Sequence, residues 1–292
     1  MPSDTLRTIG IVGAGQMGRG IAQVAARSGF AVLLHDQQKG AVDTALRFID
    51  DNLKRQVEKG TIAPEVRAQT LGRLNPASDL AACAAADFVV EAISESLALK
   101  SELFERLDGA CGPGVILASN TSSLSITRLA ASTRRPTLVI GMHFMNPVPV
   151  MELVEIVAGQ ETSRQTIETT RTLAQTLGKT PVLAQDYPGF ISNRVLMPMI
   201  NEAIFALYEG VGDRDDIDAV MRLGMRHPMG PLALADFIGL DTCLAILEVL
   251  HEGFGDPKYR PCPLLRRMVD AGLLGKKSGR GFYEYGDGGT PR

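Results

Sequence analysis

Short apolar runs alternate with longer amphipathic stretches through the first two thirds of the chain. TIGIVGAG is a run of strand formers that ends in glycines. The following GRGIAQVAARSG sets Ile21, Val24, Ala25 and Ser28 at helical spacing, with Gly29 as C-cap. FAVLLHD predicts a second strand, and an amphipathic helix then runs to about Val57. DFVVEAI, GVILASN and TLVIGMHF predict further strands, separated by helical segments such as LALKSELFERLD. Alternation of this kind predicts a parallel sheet covered on both faces. The texture changes after PVLAQDYPG, beyond which ISNRVLMPMINEAIFALYEGV, DRDDIDAVMRL, PLALADFIGL, DTCLAILEVLHEG and PLLRRMVDAGLL all read as helix. Pro198 inside the first of these predicts a kink. Pro188 and Gly189 mark the boundary, giving an α/β domain over residues 1–187 and an all-α domain over 188–292.

The first strand-to-helix junction carries chemistry. Gly13-Ala14-Gly15-Gln16-Met17-Gly18 is GxGxxG, the turn that in a doubly wound, Rossmann-type sheet receives a dinucleotide. Its first glycine permits the tight turn and its second admits a pyrophosphate to the backbone. Its third lets helix and strand pack closely, with the helix N-terminus facing the phosphates. The second strand ends in Asp36, where a carboxylate accepts hydrogen bonds from ribose hydroxyls and repels a 2′-phosphate. Gln37 and Gln38 follow in place of arginines, which favours NAD over NADP; FAD, served by the same fingerprint, is the lesser alternative. A glycine turn beside a surface aspartate is the bland reading.

Composition narrows the partners. The 292 residues are 45% hydrophobic and 22% charged, with a net charge of −3, which describes a globular protein without general attraction to nucleic acid or anionic membranes. An acidic ligand must therefore meet local basic groups. No apolar run approaches the length of a membrane span, and MPSDTLRTIG lacks the regions of a secretion signal, so a cytoplasmic location is expected. Cys83, Cys111, Cys243 and Cys262 form no CxxC pair and are expected to be buried thiols, with no metal site.

Among His35, His143, His227 and His251, position alone favours structural roles. His143 differs because it ends a predicted parallel strand, the edge at which open α/β sheets bind ligands. In GMHFMNPVPVMELVEIV an Asn-Pro-x-Pro turn separates that strand from MELVEIV, where Glu155 alternates with Met151, Leu153 and Val157. A carboxylate on an apolar face wants a partner, and an imidazole on the neighbouring strand is a natural one.

GAGQMGRGIAQVAA, ASNTSSLSIT, GMHFMNPVPVMELVEI, DYPGFISNRVLMPMINEAIFALYEG, HPMGPLALADFIGLDT and GKKSGRGFYEY occur in this order along the chain. With these blocks the sequence resembles the L-3-hydroxyacyl-CoA dehydrogenase family over essentially its whole length, in particular the short, stand-alone bacterial 3-hydroxybutyryl-CoA branch. The resemblance implies NAD-dependent, reversible oxidation of a short (S)-3-hydroxyacyl-CoA to the 3-ketoacyl-CoA in an interdomain cleft, by a homodimer joined through the helical domain. It implies His143 as catalytic base, Glu155 as its partner, and Ser122 and Asn193 as active-site residues that orient the substrate. Gly13, Gly15, Gln16, Met17, Gly18 and Asp36 would hold the dinucleotide, with Glu95, Lys100, Ser122, Asn146 and Lys277 also in contact. Lys59, with Lys54 and Arg55 nearby, would meet CoA. SESLALK departs from the usual family wording around Glu95 and Lys100, and Met145 stands where phenylalanine is common. Read without the family, the serines of SNTSSLS are helix caps, Asn193 is a surface polar residue and the lysines are a solvated helix face. A related hydroxy-acid or sugar-acid dehydrogenase would keep the His-Glu pair without acyl-CoA contacts. An NAD-binding structural protein, like the lens crystallins related to this family, would bind NADH without turnover.

Overall fold

The computed structural model describes residues 6–286. Contacts divide the chain into two compact units, Met1–Tyr187 and Pro188–Arg292. The first contains β1 (Thr8–Val12), α1 (Gln16–Arg27), β2 (Ala31–His35), α2 (Ala41–Glu58), α3 (Pro64–Leu71), β3 (Leu74–Pro76) and α4 (Leu80–Ala84). It continues through β4 (Phe88–Glu91), α5 (Leu97–Ala110), β5 (Ile116–Ser119), α6 (Ile126–Ala130), β6 (Val139–Phe144), β7 (Leu153–Ala158), α7 (Arg164–Thr176) and β8 (Thr180–Gln185). These strands form one sheet in the order β3-β2-β1-β4-β5-β6-β7-β8. The order reverses between β1 and β4, the switch point at which a doubly wound sheet opens a crevice above its strand ends.

The sheet departs from the all-parallel expectation at one place. β7 runs antiparallel to β6, and β8 runs parallel to β7. The reason lies in residues 145–152. A parallel return needs a crossover of a dozen or more residues, whereas this connection is a compact turn around cis Asn146–Pro147. β3 and β8 occupy the two edges, and each contains a proline, Pro76 and Pro181. β3 is legible only in the fold, since three residues ending in proline carry too little period to read.

Burial follows the pattern of the sequence. β4, β5 and β6 are buried along their whole length because helices cover both faces. In α2, Ala45, Ile49 and Leu53 recur every fourth residue and are fully buried, so one stripe of the helix faces the sheet. Gly13 sits at φ +107°, and a Cβ there would lie 2.4 Å from the carbonyl oxygen of Ala92. A side chain is therefore excluded twice, by backbone conformation and by the β4–α5 connection.

The second unit contains α8 (Ser192–Tyr208), α9 (Arg214–Ala219), α10 (Pro231–Ile238), α11 (Leu240–Phe254) and α12 (Pro263–Asp270). α8 runs through Pro198 as a single helix. Met197, Ile200 and Ile204 of α8 pack in one core with Leu240, Leu247 and Leu250 of α11. The two apolar stretches noted in the sequence thus supply much of each other's partner surface. The segment after α12 is held by Asp236 of α10, which accepts hydrogen bonds from the backbone N–H groups of Phe282 and Tyr283 and from the Tyr285 hydroxyl. Among the described residues, no helix is long and apolar enough to cross a membrane.

Candidate active site

The glycine loop between β1 and α1 is built for an anion. The N–H of Gly13 donates to His35 O at 2.8 Å, closing the turn against β2. Gly18 packs so closely on Gly13 that a Cβ would overlap its carbonyl, which brings the helix against the strand. A Cβ on Gly15, in contrast, would meet nothing within 4 Å. This glycine is not required by the protein's own packing. It leaves the start of α1 open, and no side chain caps that helix N-terminus, so its orphan N–H groups suit a pyrophosphate. Asp36 accepts from the N–H of Ala14 at 2.7 Å and of Gln38 at 2.8 Å, one on each oxygen. Each oxygen keeps a further lone pair for a ribose hydroxyl. A cavity of about 310 Å³ lies beside them, lined among others by Gly15, Asp36, Ile93, Leu103 and Arg106. These residues fit a dinucleotide whose adenosine end lies on the β2 side of the switch point. Gln16 reaches across to the turn after β6, its amide nitrogen donating to Asn146 Oδ1 at 3.0 Å. Met17 packs partly buried against the core of the unit. Lys179, buried beneath that turn, donates to the carbonyls of Val148 and Met151 and holds its backbone in place.

His143 and Glu155 are direct cross-strand partners in the β6–β7 ladder. Nδ1 of His143 lies 2.8 Å from Oε2 of Glu155, with the carboxylate 1% exposed and the histidine 8%. A carboxylate this deep fixes the ring tautomer by accepting from Nδ1–H, which leaves the lone pair on Nε2.

Ser122 stands on the loop between β5 and α6, which carboxylates hold from two sides. Oε1 of Glu95 accepts from the Thr121 hydroxyl at 2.6 Å, the Ser122 N–H at 2.8 Å and the Ser122 hydroxyl at 3.2 Å. Burial works to raise the Glu95 carboxyl, but the Lys100 ammonium, the Thr121 hydroxyl and the Ser122 N–H outweigh it and hold it below the usual carboxylate range. Behind the loop, Asp186 accepts from the N–H groups of Ile126 and Thr127 and from the Ser125 hydroxyl. Asn120 ties the same loop to the histidine strand, its Oδ1 accepting from Phe144 N–H at 3.0 Å. Ser122, Gln16, Asn146, His143 and Glu155 therefore all stand on the elements that end at this edge of the sheet.

Lys100 stands in the first turn of α5, against the β4–α5 connection. It is 1% exposed, its ammonium 2.5 Å from Glu91 Oε1 and 3.4 Å from Glu95 Oε2. Enclosed in this way, its ammonium supports Glu95. Glu91 itself was not singled out in the sequence, although a charged residue inside DFVVEAI demands a buried partner and Lys100 follows nine positions on. Lys54, Arg55 and Lys59 are exposed in the last turns of α2 and just after it. Asn193 and Lys277 belong to the helical unit. Asn193 lies buried in the first turn of α8, and Lys277 pairs with Asp241.

The family model for the NAD binding domain of 3-hydroxyacyl-CoA dehydrogenase matches residues 8–187, and that for its C-terminal domain matches residues 189–285. The chain is 57% identical over 280 residues to a Bacillus subtilis protein named "Probable 3-hydroxybutyryl-CoA dehydrogenase", covering 96% of this chain and 98% of the relative. It is 52% identical to the 3-hydroxybutyryl-CoA dehydrogenase of Bradyrhizobium diazoefficiens, with 96% of each chain covered. Among solved structures it is similar to (S)-3-hydroxybutyryl-CoA dehydrogenase of Ralstonia eutropha, with a TM-score of 0.95 at 48% identity, covering 97% of this chain and all of that one.

The nucleotide side makes a direct prediction. Asp36→Asn removes a charge suited to ribose hydroxyls and unfavourable to a 2′-phosphate, together with one of the two backbone hydrogen bonds that its oxygens accept in the turn. Titration of NADH fluorescence should show binding weakened about tenfold or more, and the kcat/KM ratio of NADPH to NADH should rise. An unchanged ratio would show that Asp36 does not select the cofactor.

Proposed function

The chain belongs to the 3-hydroxyacyl-CoA dehydrogenase family, and from that premise we propose that it reversibly oxidises a short (S)-3-hydroxyacyl-CoA, above all 3-hydroxybutyryl-CoA, to the 3-ketoacyl-CoA. The observation that carries the reading is the buried His143–Glu155 pair at the ligand edge of an NAD-binding sheet. Bound NAD supplies the hydride acceptor. His143, held by Glu155 with Nε2 unprotonated, takes the proton of the substrate hydroxyl as the C–H bond is broken. Imidazole suits the task because the nitrogen that takes up the proton can return it in the reverse reaction. Glu155 stabilises the imidazolium that forms, as the buried carboxylate does in a Ser-His-Asp triad. Ser122 directs its hydroxyl at the substrate oxygen. In the nucleotide site Glu95 and Asn146 border the nicotinamide half.

The CoA handle is met by Lys54, Arg55 and Lys59, whose exposed ammonium and guanidinium groups cluster at one helix end. Assembly is a homodimer through the helical unit. Its surface exposes Val195, Val211, Leu223 and Met225, each more than half accessible, beside a groove of about 750 Å³ lined by Arg194, Val195, Pro198 and Phe205. Four free, buried cysteines suit a reducing cytoplasm.

His143→Gln should lower kcat for acetoacetyl-CoA reduction by about 10²–10⁴ while NADH affinity and the circular dichroism spectrum stay near wild type. Glu155→Gln should lower kcat as well and move the pH profile. The double variant should be far less impaired than the product of the two losses, because the residues act as one unit; simple multiplication would dissolve the dyad. Replacing Lys54, Arg55 and Lys59 by alanine should raise KM for acetoacetyl-CoA in a salt-sensitive manner and leave a truncated thioester without the nucleotide almost unaffected. Equal losses with both substrates would move the CoA site elsewhere. Sedimentation at micromolar concentration should give a dimer; a lone 31.3 kDa species would refute the assembly.

A further inference from the structure

Glu91, at the C-terminal end of β4, is fully buried, and the chemistry just described makes no use of it. Both oxygens of its carboxylate are engaged. Oε1 accepts from Ile93 N–H at 2.6 Å and from Lys100 Nζ at 2.5 Å, and Oε2 accepts from Ser119 Oγ at 2.6 Å. Two routes lead from these partners to the same loop. Ser119 Oγ in turn accepts from the N–H of Thr121 at 3.2 Å. Lys100 extends to Glu95 Oε2, and the other oxygen of Glu95 gathers Thr121, Ser122 and Ser123. Lys100 also donates to Ile93 O at 3.2 Å, which fixes the start of the β4–α5 connection that carries Glu95.

A fully buried ion pair is commonly matched or bettered by apolar residues of the same volume, because its desolvation offsets its attraction. Burial pushes the Glu91 carboxyl upward despite the Lys100 ammonium and the Ser119 hydroxyl beside it. What the arrangement supplies is direction: one carboxylate sets the end of β5, the β4–α5 connection and, through Lys100, the carboxylate that grips Ser122.

We propose that Glu91 is a positioning residue for the reaction, fixing the Ser122 hydroxyl through Lys100–Glu95 on one side and Ser119–Thr121 on the other. The proposal rests on the reading of Ser122 as the group that orients the substrate. With glutamine at position 91, Lys100 has only Glu95 as an anionic partner and draws it from the loop.

The test is a double-mutant cycle on the full-length enzyme with acetoacetyl-CoA and NADH. Glu91→Gln should lower kcat by about 10- to 100-fold, the scale of a misplaced catalytic contact, with KM for NADH within about threefold. In a Ser122→Ala background the same substitution should cost less than about twofold more, since the group it positions is gone. If Glu91→Gln does not fold, as judged by circular dichroism, Ser119→Ala takes its place. That variant loses one hydrogen bond to Glu91 and should show a smaller kcat loss that again vanishes in the Ser122→Ala background. Losses that multiply across the cycle, or a silent Ser119→Ala, would overturn the role of Glu91 while leaving Ser122 in place. If Ser122→Ala alone keeps wild-type kcat, the reading of Ser122 fails, and the Glu91 proposal falls with it.

Discussion

A carboxylate in a strand that is buried on both faces survives only where a donor meets it at hydrogen-bond distance. That constraint shapes the active edge of this sheet. Glu155 satisfies it because β7 returns antiparallel to β6, which sets Glu155 directly opposite His143. Had the connection been a helical crossover, β7 would have run parallel and the opposing pairs would differ. The compact turn of residues 145–152 thus does more than join two strands. It sets the register of the His143–Glu155 pair and, through Asn146, joins that strand end to Gln16 of the glycine loop.

The same constraint recurs on β4, two strands from β6 in the same sheet. Glu91 and Glu95 share Lys100, so a single buried ammonium balances two carboxylates. Glu95 spends its free oxygen on the Ser122 loop, while Asp186 closes that loop from behind. Glu91, Lys100, Glu95 and Asp186, which hold the Ser122 loop, all lie within the first unit.

Much of this was legible in the sequence. GxGxxG and Asp36 announced themselves because each glycine answers a distinct steric demand, and the strand-helix alternation carried the doubly wound sheet. The His143–Glu155 pair was readable as a charge in an apolar run with one plausible mate. The direction of β7 was not, since period alone does not say whether a strand runs up or down; only the length of its connection does. Nor was the placement of Lys100, whose spacing from Glu91 and Glu95 reads equally well as a solvated helix face. The family blocks carried Ser122 and Asn193, which composition and period leave among ordinary caps and surface residues.

The two outermost strands of the sheet each carry a proline, Pro76 in β3 and Pro181 in β8. On β8 this matters because Val182 and Leu183 next to it are partly exposed, and an apolar strand with a free row of N–H and C=O groups is a template for joining another chain. Proline breaks that row by removing a donor. A sheet of eight strands that never closes on itself therefore ends, on both sides, in an edge that resists extension, and on β8 the residue that blunts it lies opposite Val154, one position from Glu155.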